Sequence, residues 1–324
     1  RRFAQEGSPV GRGGSLTKPL IFGIDGGGTS TRLRVADGDN RALWEGRGEG
    51  INPNAVAPAA IGERLASLFG GAFKTTGFAA GDFDAGCLGV AGAERGPERV
   101  ELENILRGQL GFSCPLRITS DPDIALVGGL KSLEGYLLIA GTGSIAIARL
   151  SDGARFRAGG LGHFLSDEGS AFFLGFQAIR RALRSVEGRD LPTAMLEPLM
   201  ERFKLGDKSE FVPLIYRRFD KAGIGGAADI VERFRAAGDP LAVSIMEEAS
   251  GELVDLVVSV RAQASGRIAS PGILLSGGLF EHNAWLKVAV IEGLAKKCPE
   301  IAPAEALESA VFGACMLALG ELKG

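Results

Sequence analysis

Two glycine-rich turns, set at matching points of two similar stretches, constrain this chain more than any other feature. The first is Gly26-Gly27-Gly28-Thr29, entered from the apolar run Leu20-Ile21-Phe22 and left through the alternating Leu33 and Val35. Such a pattern reads as two strands joined by a turn. Consecutive glycines let the backbone come close to a ligand, and their N–H groups can converge on an anion. Asp25 falls where the first strand ends, a position from which a carboxylate can hold a metal ion beside that anion. The design recurs at Gly141-Thr142-Gly143-Ser144, which comes after the apolar Tyr136 to Ala140. At an offset of 115 positions, Gly26, Gly28, Thr29, Arg34, Asp37 and Gly38 meet Gly141, Gly143, Ser144, Arg149, Asp152 and Gly153. This is the signature of an internal duplication, with two glycine-rich hairpins directed at one polyphosphate from two domains.

Composition agrees with two domains. The 324 residues, 45% of them hydrophobic, suffice for a large core in each half. A net charge of −3 argues against a nucleic-acid partner, which calls for a basic face. No apolar run is long enough to cross a bilayer, and no stretch has the layout of a signal peptide. Cys87, Cys114, Cys298 and Cys315 are isolated and form no CxxC pair, so buried free thiols in a reducing, cytoplasmic setting are expected. Residues 1–19 are polar and glycine-rich and read as a flexible leader without function.

Along the chain, Ala42 to Gly46 should add a third strand, and Gly48 to Asn54 a loop. Asn54 is the expected N-cap of a helix carrying Ile61, Leu65, Leu68 and Phe69 at helical spacing. Ala85 to Val90 reads as a buried strand, and Gly92-Ala93-Glu94 turns into a helix through Val100, Leu102, Ile105, Leu106 and Leu110. Leu116 to Thr119 forms another strand, ended by Ser120-Asp121-Pro122-Asp123 at a helix start. This gives an α/β layout with a mixed sheet. The second half, beginning near Tyr136, repeats the pattern with a helical insertion over about 171–236. A long helix from Pro240 to about Ala264, the strand Ile273-Leu274-Leu275 and a final helix from about Ala306 to Leu322 complete the chain. The expected division is 20–131 and 132–324, with a hinge near residue 131.

Together, Asp25 to Thr29, Thr119-Ser120-Asp121, Gly141 to Ser144, Gly160-Leu161-Gly162-His163, Ser166-Asp167-Glu168-Gly169-Ser170 and Ser276-Gly277-Gly278 resemble the sugar-kinase/actin/heat-shock-chaperone superfamily. Within it they are similar to the BadF/BadG/BcrA/BcrD ATPase family, on its N-acetylglucosamine kinase branch. The resemblance covers nearly everything from Leu20 onward, and the GxGH and DEGS pair is its most specific part. It implies duplicated ribonuclease H-like domains of the actin type. Each would hold a mixed five-stranded sheet flanked by helices, with an active-site cleft between the two.

The resemblance also implies roles. ATP would be held by Gly26, Gly27, Gly28, Thr29, Gly141, Thr142 and Gly143, with Gly277, Gly278 and Gly225 at the adenosine and Mg²⁺ near Asp25. There is no GxxxxGK[ST] loop, so backbone N–H groups and the hydroxyls of Thr29, Thr142 and Ser144 would do the positioning. Asp121 would be the general base, although an Asp before Pro at a strand end also serves as a helix N-cap, and Asp123 is a competing carboxylate. Asn52, Ser144, Gly160, His163 and Asp167 would line the sugar pocket, with Glu168 in support. An amide suits sugar hydroxyls because it both donates and accepts. Asn52 could equally be a turn residue, Asp167 a helix cap, and His163 a hydrogen-bonded imidazole that orders its loop. Pro53 and Leu161 depart from the pattern of several relatives.

The implied activity is ATP-dependent phosphorylation of an amino sugar, N-acetylglucosamine or glucosamine, at the 6-hydroxyl. The other half of the family supplies an alternative, an ATPase that activates a 2-hydroxyacyl-CoA dehydratase through a cysteine-held iron–sulfur cluster; no cysteine lies near the GxGH and DEGS segments. A non-enzymatic sugar sensor is a further alternative. ROK-type kinases usually carry a cysteine-rich zinc motif, which is absent. The small-molecule sugar is the expected partner, with neither nucleic acid nor membrane, and the resemblance allows a homodimer.

Overall fold

The computed structural model describes residues 18–93, 96–269 and 271–322. Most of the expected leader, and Glu94, lie outside them. The chain divides into two compact units: Arg1–Leu133 with Glu305–Gly324, and Glu134–Ala304.

The first unit is built on β1 (Leu20–Gly26), β2 (Ser30–Asp37), β3 (Ala42–Glu49), β4 (Ala85–Val90) and β5 (Leu116–Thr119), in the order β3-β2-β1-β4-β5. The first three form an antiparallel meander, while β4 runs parallel to β1 and β5 parallel to β4. Helices α1 (Pro58–Thr76), α2 (Gly96–Asn104) and α3 (Asp121–Leu130) connect or flank the sheet. On one face Phe22 packs its ring against Phe69, Phe83 and Phe112, with centroids 5.1, 5.4 and 4.8 Å away. Such aromatic pairs add directional contact to the burial of a large apolar area. Gly86 makes room for this cluster, since a Cβ there would sit 2.1 Å from the Phe22 ring. Asn54 is not the cap of α1. The helix starts further on, with Ala57 at the cap and proline in the first turn, and the Asn54 N–H is taken by Asn52 instead.

The second unit repeats this plan. Its strands are β6 (Gly135–Ala140), β7 (Ser144–Arg149), β8 (Arg155–Gly159), β9 (Gly272–Ser276) and β10 (Ala302–Ala304), in the order β10-β9-β6-β7-β8. Again three strands form an antiparallel meander, and the fourth and fifth add in parallel on the other side of the first. The shared strand order supports the duplication seen in the sequence. Between β8 and β9 come α4 (Ala171–Val186), α5 (Leu196–Phe203), α6 (Phe211–Arg217), α7 (Lys221–Gly225), α8 (Ala228–Ala236) and α9 (Pro240–Ala264). The short α10 (Gly278–His282) and α11 (Ala284–Lys297) lie between β9 and β10. The long α9 is capped by Asp239, whose carboxylate accepts from the Ala242 N–H, and it buries Leu241, Ile245, Leu253, Val257 and Val260.

The last helix, α12 (Ala310–Glu321), returns to the first unit, whereas the sequence pattern places everything after residue 132 in the second. It lies against β1 and α3 at backbone distance. A Cβ on Gly313 would stand 2.1 Å from the Ile124 carbonyl oxygen, one on Gly128 2.2 Å from that of Ser309, and one on Gly23 2.7 Å from that of Val311. Glycine spacing therefore seats α12, and a periodicity argument about apolar positions has no means of seeing it. All four cysteines are free and buried, as expected, and no helix of the described residues is long and apolar enough to cross a membrane.

This packing predicts opposite effects for two alanine substitutions. Gly313→Ala should lower unfolding stability by about 1–3 kcal/mol through overpacking, while Gly70→Ala, in the open middle of α1, should raise it by about 0.5–1 kcal/mol. Denaturant titration of both variants checks this; equal effects would overturn the seating of α12. In the second unit, hydrogen bonds from Arg181 hold the Asp190 carboxyl down at about 2, below its ordinary value of 3.8. The stabilisation is therefore complete above about pH 4 and is lost as pH falls towards 2. Melting curves of wild type and Asp190→Asn should be well separated at pH 7 and converge below pH 4.

Candidate active site

In the first unit the carboxyl ends of β1, β4 and β5 lie side by side, with Gly26 paired to Val90 and Gly89 to Thr119. The turns and helix starts that leave these strands are thereby brought to one edge, the usual ligand edge of sheets containing parallel strands. The β1–β2 turn is fixed at its base and open at its tip. The Gly27 N–H donates to the Ser30 carbonyl (2.9 Å), the Gly27 carbonyl accepts from Ile51 (3.1 Å), and the Gly26 carbonyl accepts from Ala91 (2.8 Å). Gly50 admits the turn closely, for a Cβ there would be 2.2 Å from the Gly28 carbonyl oxygen. Gly28 and Thr29 are exposed, and among the described residues nothing accepts from their N–H groups. Asp25 lies half-buried just behind this tip. Burial raises its carboxyl above the ordinary value, and Arg32, its cross-strand neighbour, opposes the shift only in part.

Asn52 and Asp121 flank the same edge. The Asn52 Oδ1 accepts from the Asn54 N–H (2.9 Å), and its carbonyl accepts from Ala55 and Val56 (3.0 Å each). Asn52 is thus a turn residue, held against Gly92, whose absent Cβ would stand 2.6 Å from Oδ1. Asp121 is the first residue of α3, and the cap position belongs to Ser120. The two neighbouring carboxylates are separated by environment. Asp123 is only 2% exposed and takes a hydrogen bond from the Thr119 hydroxyl, whereas Asp121 is half-buried.

The second unit assembles an equivalent edge. Ile139 of β6 pairs with Ser276 of β9, so the β6–β7 turn and the β9–α10 turn adjoin. Gly277, with φ of 104°, lies against β6 so closely that a Cβ would meet the Ala140 carbonyl oxygen at 2.4 Å. Gly278 begins α10, and Gly225 ends α7 beside the Phe172 N–H at the start of α4. The base of the hairpin is again tied down, with the Gly141 N–H on the Gly143 carbonyl and the Ala171 N–H on the Gly141 carbonyl, both 2.9 Å. Among the described residues nothing accepts from the N–H groups of Thr142 and Gly143.

The segment from Gly160 to Ser170 is fastened to this hairpin. The Gly160 N–H donates to the Ser144 carbonyl (2.9 Å), the Ser144 N–H to the Asp167 Oδ1 (3.2 Å), and the Ser144 hydroxyl to the Glu168 carbonyl (2.6 Å). Asp167 does not cap α4; Ser170 does, accepting from the Phe173 N–H. Asp167 instead lies buried with φ of 68°, and its Oδ2 pairs with the Lys221 ammonium at 2.8 Å. His163 orders its loop through rings rather than hydrogen bonds. It stacks on Phe219 (4.7 Å, 20°) and touches Phe164 and Phe172, and among the described residues its buried Nε2 has no partner. Lys221 and Phe219 escaped sequence reasoning, since a lone lysine or phenylalanine carries no motif.

A curated relative, N-acetylmuramic acid/N-acetylglucosamine kinase of Clostridium acetobutylicum, is 32% identical over 197 residues, which are 61% of this chain and 64% of that protein. N-acetyl-D-glucosamine kinase of Dictyostelium discoideum is 28% identical over 209 residues, 62% of this chain and 66% of that one. The chain thus spans just under two thirds of the length of these curated relatives. A solved structure from Chromobacterium violaceum, described as a candidate N-acetylglucosamine kinase, superposes with a TM-score of 0.66 at 24% identity, covering 93% of this chain and 99% of that one. The ROK hexokinase of Thermus thermophilus reaches 0.58 at 19% identity over 94% of this chain and 99% of that one, so the actin-like kinase fold is shared. Since the model of the BadF/BadG/BcrA/BcrD ATPase family matches residues 22–318, nearly the whole chain, this protein belongs to that family.

Proposed function

We propose that the protein is an ATP-dependent amino-sugar kinase that phosphorylates N-acetylglucosamine, or glucosamine, at the 6-hydroxyl. The observation that carries this reading is the pair of hairpins with tied bases and unclaimed tip amides, one in each unit, accompanied by the half-buried Asp121. The relatives named above, each a kinase of amino sugars, point the same way. Phosphoryl transfer needs little covalent chemistry from the protein and depends on positioning and charge neutralisation. The N–H groups of Gly28, Thr29, Thr142 and Gly143 would hold phosphate oxygens without a lysine-bearing loop. Gly277, Gly278 and Gly225 would flank the adenosine. Asn52 would offer its amide N–H₂ to a sugar oxygen, and Gly160 and His163 would add to a sugar surface that the buried Asp167 and Ser144 brace.

Asp121 accepts the proton of the 6-hydroxyl as that oxygen bonds to the γ-phosphorus and the bond to the ADP oxygen breaks. Asp25 fits Mg²⁺ chemically: it is a half-buried acceptor that burial leaves short of compensating charge. The ion would be held by this one carboxylate together with the phosphates. The ion, when bound, offsets the charge of the phosphate oxygens.

The activator reading requires accessible thiolates. Burial raises the Cys87 thiol strongly and pushes that of Cys315 up to about 12, which disfavours it. Buried free thiols also suit a reducing, cytoplasmic compartment.

ADP release with Mg-ATP against N-acetylglucosamine, glucosamine, N-acetylmuramic acid, glucose and no sugar tests the proposal. An amino sugar should drive turnover, and Asp121→Asn should lower kcat by about 10²–10⁴-fold while ADP binding stays within about twofold. Hydrolysis that no sugar raises would sink the kinase. Asp25→Asn separates function from stability: removing a burial-disfavoured charge should leave the melting temperature equal or higher while turnover collapses. A lower melting temperature in that variant would count against Asp25 as a carboxylate kept for an ion.

A further inference from the structure

We propose that Lys221 is a positioning residue for the second phosphate hairpin, acting through Asp167; this rests on the reading that the hairpin receives the nucleotide phosphates. The geometry forms a short chain of contacts. The Lys221 ammonium pairs with the Asp167 Oδ2 at 2.8 Å, and the Asp167 Oδ1 accepts the Ser144 N–H at 3.2 Å. Ser144 ends the hairpin, and its hydroxyl and carbonyl are consumed by Glu168 and Gly160 of the same segment. The Asp167 carboxylate also fills the space beside the turn. A Cβ on Gly143 would stand 2.6 Å from Oδ1, so Gly143 must be glycine while the carboxylate is there.

Three features give Asp167 a positioning rather than a merely solvated character. Its side chain is only 4% exposed, so its charge requires a partner, and Lys221 is the ion-pair partner the structure gives it. Its backbone occupies the left-handed region, which costs a non-glycine residue energy unless its surroundings impose it. Its two oxygens are divided between the cation and the hairpin. Lys221, one third exposed on α7, is therefore the element that keeps the carboxylate facing Ser144. Without it, the buried charge would turn towards water and release the Ser144 N–H. The unclaimed Thr142 and Gly143 amides, one or two residues away, would lose their fixed direction. Because the interaction is with phosphate oxygens, the consequence should grow with the number of phosphates that reach the hairpin.

Calorimetric binding of ADP and of AMP to the full chain tests this without any turnover. The proteins are wild type, Lys221→Met, Lys221→Arg and Lys221→Met/Asp167→Asn. Lys221→Met should weaken ADP about tenfold or more, with AMP changing less than about twofold, as the terminal phosphate is the one held. Lys221→Arg should restore ADP affinity to within about threefold. The double variant removes the unpaired charge yet keeps an amide oxygen for Ser144, and should recover part of the loss if the single variant folds poorly. ADP and AMP weakened equally, or ADP unchanged in a folded Lys221→Met protein, would overturn the assignment, as would failure of the wild type to distinguish ADP from AMP. If the ADP and AMP contrast holds but no sugar is phosphorylated, the positioning role stands and the kinase reading falls.

Discussion

The organising arrangement of this molecule is that, among the described residues, backbone N–H groups at the tips of two hairpins are unclaimed while the bases of those hairpins are tied down. Buried N–H and carbonyl groups normally find partners, and a free glycine-rich turn would lose any direction it could offer an anion. Each unit resolves the conflict in the same way. The base of the turn is closed by bonds within the hairpin and to a neighbouring segment, Ile51 and Ala91 in the first unit and Ala171 in the second. Among the described residues the tip amides meet no acceptor, while the base holds the turn in one orientation.

That arrangement depends on close backbone approach, and glycine is used where a methyl group could not fit. Gly50 receives the first turn, Gly277 receives the end of β6, and Gly143 leaves space for the Asp167 carboxylate. The same device seats α12 against α3 and β1 through Gly313, Gly128 and Gly23. The chain's 49 glycines thus include positions that fit turns together and positions that seat a helix.

The carboxylates divide in a comparable manner. Asp123 and Asp167 are buried and have named protein partners, Thr119 and Lys221, so they brace the site. Asp25 and Asp121 are half-buried at strand and helix ends, where a carboxylate can meet an ion or a hydroxyl proton. Environment, not residue type, makes the distinction, since burial sets how far each acid reaches solvent.

Much of this was legible from the chain alone. The duplicated glycine pattern, the alternation of strands and helices and the bounds of α9 all arise from local periodicity and turn chemistry, which act over a few residues. Sequence by itself therefore determined two units of one plan, each with a glycine-rich turn after its first strand. It did not determine that α12 belongs with the first unit, because glycine-mediated helix contact is a distance between segments far apart in the chain. Nor could it settle the start of α1, where the Asn54 N–H goes to Asn52 and the helix waits for proline. The burial of Asp123 against Thr119, and the pairing of Asp167 with Lys221, rested on neighbours 4 and 54 residues away. Electrostatic partnership through folded space was decided by the tertiary structure alone, because a charge is stabilised by what surrounds it and not by what precedes it.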